Sequence, residues 1–337
     1  LAFNAGEADF INVPPDLVGN VLDAGNALKP SYAKEGVRHA RAAQPALAYT
    51  YFNMDDPVVG GYTPDKVALR RAMVMGFNTD EPLRVWYQGQ AIRATQPLPP
   101  VVAGHSEGFA ARPPYDPESA RKLLDRFGYK DRDGDGFREL PDGSPLAITM
   151  GSATAGRDRE RDELWKKNMT ALGIRIDFLK QKWPDLLKMG RAGKLQMWPV
   201  GWITQYGEGD AFMQLLYSRN IGQSNYARFS RPEYDAIYAK TKRIPDGPER
   251  SAMYRALAEQ IAALNPWDLG VWRVENTLVR PWVDGYKKQF IPGEYYNVGG
   301  KTKWYGAALL RFSPHEFEPD PAHHGLNRPK PGPSGHR

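Results

Sequence analysis

Apolar and aromatic stretches alternate with polar, Pro-rich or Gly-rich stretches along the chain, and their spacing predicts alternating helices and strands. Continuous apolar runs indicate buried strands, whereas apolar residues three or four positions apart indicate helices. The predicted strands are residues 46–53, 174–178, 195–203 and 269–272. The predicted helices are one that begins at Thr63, one between Asp116 and Gly128, and those over 159–172, 232–242 and 248–264. This order of elements is typical of a mixed α/β domain.

Two of the predicted helices have a distinct start signal. Thr63 and Asp116 are good N-cap residues, and each is followed by proline, which suits the first helical position. Gly128 ends the second of these helices. The Pro-rich segment 96–100 between them predicts a loop.

Composition narrows the classes of function. The chain has 337 residues, enough for about two domains. Its 45 Lys and Arg residues exceed its 39 Asp and Glu residues only slightly, and they are spread along the chain. This distribution argues against a nucleic-acid partner.

The absence of cysteine removes disulfides, thiolate metal sites and cysteine nucleophiles. A mean hydropathy of −0.58 and the lack of a long apolar run argue against membrane insertion. Aromatic residues make up 12% of the chain, with 9 Trp and 17 Tyr. Such residues collect both in cores and at binding surfaces.

The two ends of the chain also lead to expectations. The sequence starts at Leu1 with mid-domain character and no targeting signal, so we expect it to begin partway through a longer protein. Residues 313–337 are rich in Pro, His and Gly and contain almost no apolar side chains. We expect this tail to be disordered.

Several short motifs follow one another in a defined order. They are Gly-Glu-Ala-Asp at 6–9, Tyr-Phe-Asn-Met at 51–54, Lys-Val-Ala-Leu-Arg-Arg-Ala at 66–72, Pro-Leu-Pro-Pro at 97–100, Tyr-Asp-Pro-Glu-Ser-Ala-Arg-Lys-Leu-Leu at 115–124, Gly-Tyr-Lys-Asp-Arg-Asp-Gly-Asp-Gly at 128–136 and Gly-Trp at 201–202. Their order over about residues 1–300 resembles the extracytoplasmic solute-binding proteins of ABC transporters, family 5, the peptide- and nickel-binding group.

The resemblance implies an α/β, two-lobed fold of the periplasmic-binding-protein type, in its type II, large peptide-binding class. Residues 53–271 would form the second ligand-binding lobe, and residues 1–52 and 272–312 would cross back into the first lobe. Much of the first lobe found in the family is absent from this sequence. Members of the family are periplasmic, and they close on a solute and deliver it to an ABC permease.

The loop over residues 201–210 is the candidate ligand site, because it follows a predicted buried strand and can face a cleft. In peptide-binding members of the family, an Asp three residues after the Gly-Trp pair binds the α-ammonium of the ligand. Here that residue is Gln205, which carries no negative charge. The alternative is a Gly-rich turn with surface carboxylates. The candidate ligand-binding residues of the loop are Trp202, Gln205, Tyr206, Glu208 and Asp210.

Arg157 is a candidate partner for a ligand carboxylate, because it lies just ahead of a predicted helix. The alternative is a solvated arginine in the charged run 157–162. Trp202 is expected to wall the ligand, whereas Trp183, Trp198, Trp267 and Trp272 are mostly expected in cores or at seams between lobes.

A second candidate site carries oxygen ligands at alternate positions with Gly at the sixth, the spacing of a Ca²⁺-binding loop. The twelfth position is Asp where such loops usually have Glu, and no helix is predicted to enter the loop. A plain turn is the alternative interpretation. The candidate calcium ligands are Asp131, Asp133, Asp135, Glu139 and Asp142.

The sequence contains no positive sign of catalysis. It has no Gly-x-Ser-x-Gly elbow, His-Glu-x-x-His pair or phosphate loop, and its six histidines form no metal-ligand spacing on a predicted helix. We therefore expect a non-enzymatic binding protein for a small solute such as a peptide. An interaction module with an incomplete cleft is the runner-up, and a hydrolase using Glu208 and Asp210 is a third interpretation.

Overall fold

Strands from distant parts of the chain pair into one mixed sheet. The computed structural model describes residues 2–14, 17–154, 156–204 and 207–283, and within them seven strands belong to this sheet. The strands are β1 (Phe10–Val13), β2 (Arg38–Phe52), β3 (Ala91–Arg93), β4 (Ala147–Ala153), β5 (Arg175–Gln181), β6 (Met197–Ile203) and β7 (Trp267–Val279).

The strand order is β1-β7-β2-β6-β4-β5, and β3 also pairs with β7. β7 is antiparallel to β1, β2 and β3, and β2 is antiparallel to β6. β4 runs parallel to both β5 and β6. Because helices and mixed strand pairs alternate along the chain, the predicted α/β class is confirmed.

Helices connect most of these strands. All five predicted helices are present, and most of their ends lie within three residues of the predicted ones. They are the helices after Thr63 and Asp116 and those near 159–172, 232–242 and 248–264. The helices are α1 (Val18–Val21), α2 (Pro30–Lys34), α3 (Pro64–Gly76), α4 (Asp80–Val85), α5 (Pro117–Arg126), α6 (Gly156–Thr170), α7 (Trp183–Arg191), α8 (Asp210–Met213), α9 (Pro232–Thr241) and α10 (Pro248–Leu264). Two short 3₁₀ helices follow α8, at Gln214–Leu216 and Ser218–Asn220.

The two predicted N-caps differ in the structure. The Asp116 carboxylate accepts a hydrogen bond from the Ser119 N–H at 2.9 Å, as a capping side chain should. Thr63 occupies the N-cap position of α3, but its side chain makes no capping hydrogen bond. Pro64, with its fixed φ, occupies the first turn of α3 and needs no N–H partner there.

Two long strands are the main departure from the predicted elements. β2 begins at Arg38, eight residues before the predicted strand, and β7 extends to Val279. The pairing of β2 with β7 shifts register between Ala43 and Leu47 and again between Ala48 and Tyr49. Pro45 lies in the first of these irregularities, where a residue without an N–H can be accommodated in a strand. The elements that were not predicted are β1, β3, β4, α1, α2, α4, α7 and α8.

The sheet is shared by two hydrophobic cores. The larger core contains buried side chains from the sheet and from α3, α5, α6, α9 and α10. The smaller core lies near the amino end and packs side chains of β1 and α1 against Leu278 of β7. β2 and β7 therefore run from one core to the other. The buried members of the smaller core are Phe3, Val13, Val18, Val21, Leu22, Val37 and Leu278.

Among the described residues, none of the helices has the length and apolar character needed to cross a bilayer. The predicted tail, 313–337, and most of the predicted return segment, 272–312, lie outside the described residues.

Candidate functional site

A cavity of about 210 Å³ lies on the sheet where β6, β2 and β7 are adjacent. Ala48 of β2 is opposite Gly201 of β6 on one side and Val271 of β7 on the other. A Cβ atom on Gly270 would lie 2.9 Å from the carbonyl oxygen of Ala48, so this position requires glycine for close strand approach. Small residues in three neighbouring strands leave open space above the sheet.

Aromatic side chains form much of the cavity wall. Phe77 and Trp165 stack with their ring centroids 4.2 Å apart, and Trp86 lies 4.8 Å from Tyr87. Trp183, at the start of α7, is 50% exposed. Flat apolar walls of this kind bind the apolar part of a ligand and leave its orientation to a few polar groups. The cavity is lined by Ala48, Tyr49, Phe77, Thr79, Pro82, Trp86, Tyr87, Arg161, Trp165, Trp183, Pro199, Val200, Gly201, Gly270, Val271 and Arg273.

Two arginines are the charged groups of this lining. Arg161 forms an ion pair with Asp158 at 2.6 Å and lies 3.7 Å from Asp162. Its guanidinium carbon is 5.9 Å from the centroid of the Trp86 ring. Arg273 projects from β7, and one of its terminal nitrogens would lie 2.9 Å from a Cβ atom on Gly201. Gly201 therefore gives the Arg273 guanidinium room beside β6.

A neighbouring cavity of about 420 Å³ shares Trp86, Tyr87 and Arg273 with the first one. Its remaining lining is more polar and includes Gln44 and Glu275, whose side chains are joined by a hydrogen bond of 3.1 Å. Arg273 thus lies where an aromatic cavity meets a polar one.

The predicted ligand loop lies beside this region, and only part of it is described. Trp202 is half-buried and lines a separate cavity of about 420 Å³ together with Arg191 and Tyr226. Gln205 and Tyr206 lie outside the described residues, as does the side chain of Arg157.

Glu208 and Asp210 contact groups on α9 and α10, and neither lines the cavity between the strands. The Glu208 carboxylate forms an ion pair with Arg250 at 3.1 Å. Burial, with the negative charges of Asp210 and Glu208, raises the pKa of Tyr254 to about 12, while Arg250 opposes that rise. Burial and the nearby Asp210 also raise the pKa of Tyr238. The two carboxylates therefore have different surroundings within one loop.

The predicted calcium loop brings four carboxylates together. Asp131 accepts hydrogen bonds from the N–H groups of Gly134 and Gly136, and Asp135 forms an ion pair with Arg175 at 2.6 Å. These bonds order the turn without a cation. The four residues whose side-chain oxygens lie within 4.8 Å of one another are Asp131, Asp133, Asp135 and Glu139.

Asp142, the predicted twelfth ligand, is not part of that group. Its carboxylate accepts hydrogen bonds from the N–H and the hydroxyl of Ser144, at 2.9 and 2.6 Å. Bound calcium in this loop stays a prediction.

Most of the cavity residues were not singled out by the sequence analysis. Trp183 is half-exposed in the cavity wall, whereas Trp198 and Trp267 are buried as expected. Arg273 lies in a strand that was predicted to end at residue 272. The sequence does contain a signal for Arg273, because it is a charged residue within an otherwise apolar run that also contains glycine.

The chain was compared with known proteins. The family model for bacterial extracellular solute-binding proteins, family 5, matches residues 1–224. Heme-binding protein A of Haemophilus influenzae is 27% identical over 254 residues, covering 75% of this chain and 44% of that protein. Di/tripeptide-binding protein 2 of Pseudomonas aeruginosa is 29% identical over 211 residues, covering 60% of this chain and 37% of that protein.

Solved structures show the same fold. The oligopeptide-binding protein AppA of Bacillus subtilis, in complex with a nonapeptide, matches with a TM-score of 0.67 at 18% identity, covering 89% of this chain and 56% of that one. DppA of Helicobacter pylori, in complex with the peptide STSA, matches with a TM-score of 0.66 at 20% identity, covering 87% and 52%. The chain thus spans about half the length of these structures, and less than half the length of the two curated relatives.

Proposed function

Because the chain belongs to the bacterial extracellular solute-binding proteins of family 5, we propose that it is the substrate-binding part of an ABC importer. In this proposal it binds a small solute in the periplasm and delivers it to a membrane permease. The observation that carries the proposal is the aromatic cavity on β2, β6 and β7, which has two arginines and small strand residues at its base. Such a pocket suits the binding of a small organic molecule.

The proposal assigns residues 53–271 to the second ligand-binding lobe and residues 1–52 and 272–312 to the segments that cross into the first. The two cores support a division of this kind, because the buried members of the smaller core lie between Phe3 and Val37 and at Leu278. The larger core, however, already includes Leu47, Tyr49, Tyr51 and Phe52 of β2 and Trp272 of β7, so it extends beyond the proposed boundaries at 53 and 271. β2 and β7 would then be the connections between the lobes. Closure would be stabilised by ligand contacts made from both sides of the cleft.

The ligand is proposed to be a peptide or peptide-like solute. Di/tripeptide-binding protein 2 supports this class through its name, whereas the name of heme-binding protein A describes a different ligand. Gln205 is uncharged where peptide-binding members have Asp, and Glu208 and Asp210 have partners on α9 and α10. An ordinary free α-ammonium therefore has no matching carboxylate among the described residues that line the strand cavity.

We further propose that the loop over residues 201–210 forms a second wall of the ligand site, with Trp202 as its aromatic contact. Arg157 is proposed to approach a ligand carboxylate from the start of α6. The same chain is proposed to be a binding protein without catalytic activity, since the relatives named above are binding proteins.

Thermal unfolding of the 337-residue chain tests the proposal. The panel contains di- and oligopeptides, amino acids, sugars, nickel complexes and calcium. A solute that binds only the folded state raises the melting temperature, because at a concentration of one hundred Kd it adds about 2.7 kcal/mol of stability. We expect at least one solute class to do so, with Gln205→Asp shifting the preference toward peptides with a free amino terminus.

Two tryptophan variants locate the bound solute. Trp183 and Trp282 are similarly exposed, at 50% and 59%, but only Trp183 lines the cavity. Trp183→Ala should reduce the ligand-induced rise in melting temperature, and Trp282→Ala should leave it unchanged. If a cooperatively melting chain responds to no solute in the panel, the interaction-module interpretation replaces the proposed function.

A further inference from the structure

We propose that the cavity on β2, β6 and β7 binds the carboxylate of an otherwise apolar solute, and that Arg273 is the residue that binds it. This inference rests on the proposed function and specifies the class of solute. It follows from the charge balance of the lining, from the position of one guanidinium and from the arrangement of the neighbouring carboxylates.

The described lining of the cavity contains cations and no carboxylate. Apart from Arg161 and Arg273, its polar side chains carry hydroxyl groups, as on Tyr49 and Thr79, and the indole N–H groups of three tryptophans. An ammonium group entering this space would meet the positive charge of Arg273 and no carboxylate of the described lining. A carboxylate would meet the Arg273 guanidinium and groups that can all donate hydrogen bonds.

The two arginines are not equivalent. Arg161 already faces Asp158 at 2.6 Å and Asp162 at 3.7 Å, and its side chain is mostly buried. Asp162 in turn accepts a hydrogen bond from Ser152 and pairs with Lys180. The charge of Arg161 is therefore compensated within its own cluster, and Arg161 mainly closes one wall.

Arg273 has no ion pair or hydrogen bond of its guanidinium among the described residues, and its side chain is exposed. Its Cα is paired with Ala91 of β3, and on the β2 side it lies at the register shift between the pairs Val274–Ala43 and Trp272–Leu47. The guanidinium reaches across to Gly201, where a Cβ would be 2.9 Å away. A planar fork of donors carried by a paired strand and open to a cavity fits a carboxylate with two parallel hydrogen bonds.

Glu275 determines which side of Arg273 the anion takes. It lies two residues further along β7, lines the neighbouring polar cavity and accepts a hydrogen bond from Gln44. Its negative charge disfavours an anion on that side. The solute carboxylate is therefore placed at the Gly201 end of the guanidinium, and the apolar part of the solute lies against Trp86, Trp165 and Trp183.

The test compares matched peptides on the full chain. N-acetylated tripeptides with apolar side chains are prepared with a free carboxyl terminus and, separately, as carboxyl-terminal amides. Binding is followed by the fluorescence of the cavity tryptophans and by isothermal calorimetry. The free acids are expected to bind about tenfold more tightly than the amides, because a hydrogen bond to a charged group contributes enough for that difference.

Three variants complete the test. Arg273→Gln should bring the free acids down to the affinity of the amides, and Arg273→Glu should make the amides the better ligands. Arg126→Gln is the matched control, because Arg126 is an exposed arginine on α5 outside the cavity. Its affinity for the free acids should equal that of the unchanged protein.

The outcomes separate the two proposals. If acids and amides bind the unchanged protein equally and Arg273→Gln alters neither, the carboxylate assignment is wrong and the proposed solute-binding function survives. If these peptides and every other solute of the panel fail to bind, the proposed function fails and the assignment fails with it.

Discussion

Replacement of Arg112 by Met is expected to destabilise the protein strongly, because it leaves a buried carboxylate without its partner. The Arg112 Nε atom lies 3.0 Å from an Asp268 oxygen, and both side chains are only 3% exposed. The same guanidinium donates to the carbonyl oxygens of Val74 and Phe77, both at 3.1 Å, and so satisfies the carboxyl end of α3. One side chain thus joins α3 to β7, the strand that carries Arg273.

The loss of stability depends on which charge of the pair stays buried without a partner. Breaking a buried ion pair by removing one partner costs about 3–5 kcal/mol. Arg112→Met should fall in that range, because the Asp268 side chain is only 3% exposed and solvent cannot take the place of the guanidinium without rearrangement. Asp268→Asn should cost about 1–2 kcal/mol, since Asn keeps an acceptor oxygen and Arg112 keeps its carbonyl partners. Adding Asp268→Asn to Arg112→Met should therefore increase stability.

The pH dependence has a definite sign. Burial raises the pKa of Asp268 above 3.8, and Arg112 opposes that rise. Without Arg112 the folded-state pKa is higher still, so folding favours the protonated form. The stability associated with that form is present below the unfolded value of 3.8 and is lost as pH rises through the folded-state pKa. The deficit of Arg112→Met relative to the unchanged protein should shrink from pH 7 toward pH 4.

Urea unfolding followed by circular dichroism measures these differences. The reasoning is refuted if Asp268→Asn further destabilises the Arg112→Met protein, or if the deficit of Arg112→Met is the same at pH 7 and pH 5. Either result would mean that the loss comes from packing or from the α3 carbonyls and not from an unpaired charge.

Three other outcomes are expected. A Cβ atom on Gly60 would lie 2.3 Å from the carbonyl oxygen of Asp56, so Gly60→Ala should lower the free energy of unfolding in urea by about 3 kcal/mol. Gly247→Ala is the control and should lower it far less, because a Cβ atom at Gly247 has open space around it. Burial raises the pKa of Tyr254 from 10.0 to about 12, so its neutral form stabilises the fold below pH 10 and that stability is lost toward pH 12. Because the chain has 17 Tyr, the measured quantity is the difference in tyrosinate absorbance between the unchanged protein and Tyr254→Phe. This difference should rise together with loss of circular dichroism, and its rise well before unfolding would contradict the prediction. If the loop at Asp131 binds calcium as its spacing predicts, calcium should raise the melting temperature and a chelator should reverse the rise. The Asp142→Asn protein should show the same rise, because the Asp142 carboxylate accepts a hydrogen bond from Ser144 and lies outside the carboxylate group. The absence of a rise with calcium would contradict the prediction.

The elements that were predicted well depend on local signals. α5 follows from Asp116, Pro117 and the apolar spacing after them, and all of these act within one or two turns. The helix at 248–264 has the same boundaries in the structure as in the prediction. Such helices start and stop at residues whose backbone preferences are local, so their ends can be predicted without knowledge of their neighbours.

The long strands and the cavity depend on distant partners. The alternation in β2 is interrupted at Gln44 and Pro45, and the segment stays in one strand because it pairs with β7 across a register shift and with β6 from Ala46 onward. Ala48, Gly201 and Gly270 are weak strand residues one by one. They become the base of a cavity because three segments far apart in the sequence are brought side by side. The sequence therefore singled out the segment at Trp202, which the structure places near the end of β6, and not the cavity at Arg273.

The position of the cavity relative to the two cores connects the fold with the proposed function. The register shifts of β2 lie between residues 43 and 49, and the cavity begins at Ala48. A shift of register interrupts the ladder and increases local twist, so the sheet is most easily deformed where it is irregular. A small change of twist at this level would move the smaller core relative to Trp165 and Trp183, which lie on the side of the larger core. In the proposed function, a solute held by Arg273 on β7 and by these rings would contact both sides of the deformable region, and its binding would favour one arrangement of the two cores over others.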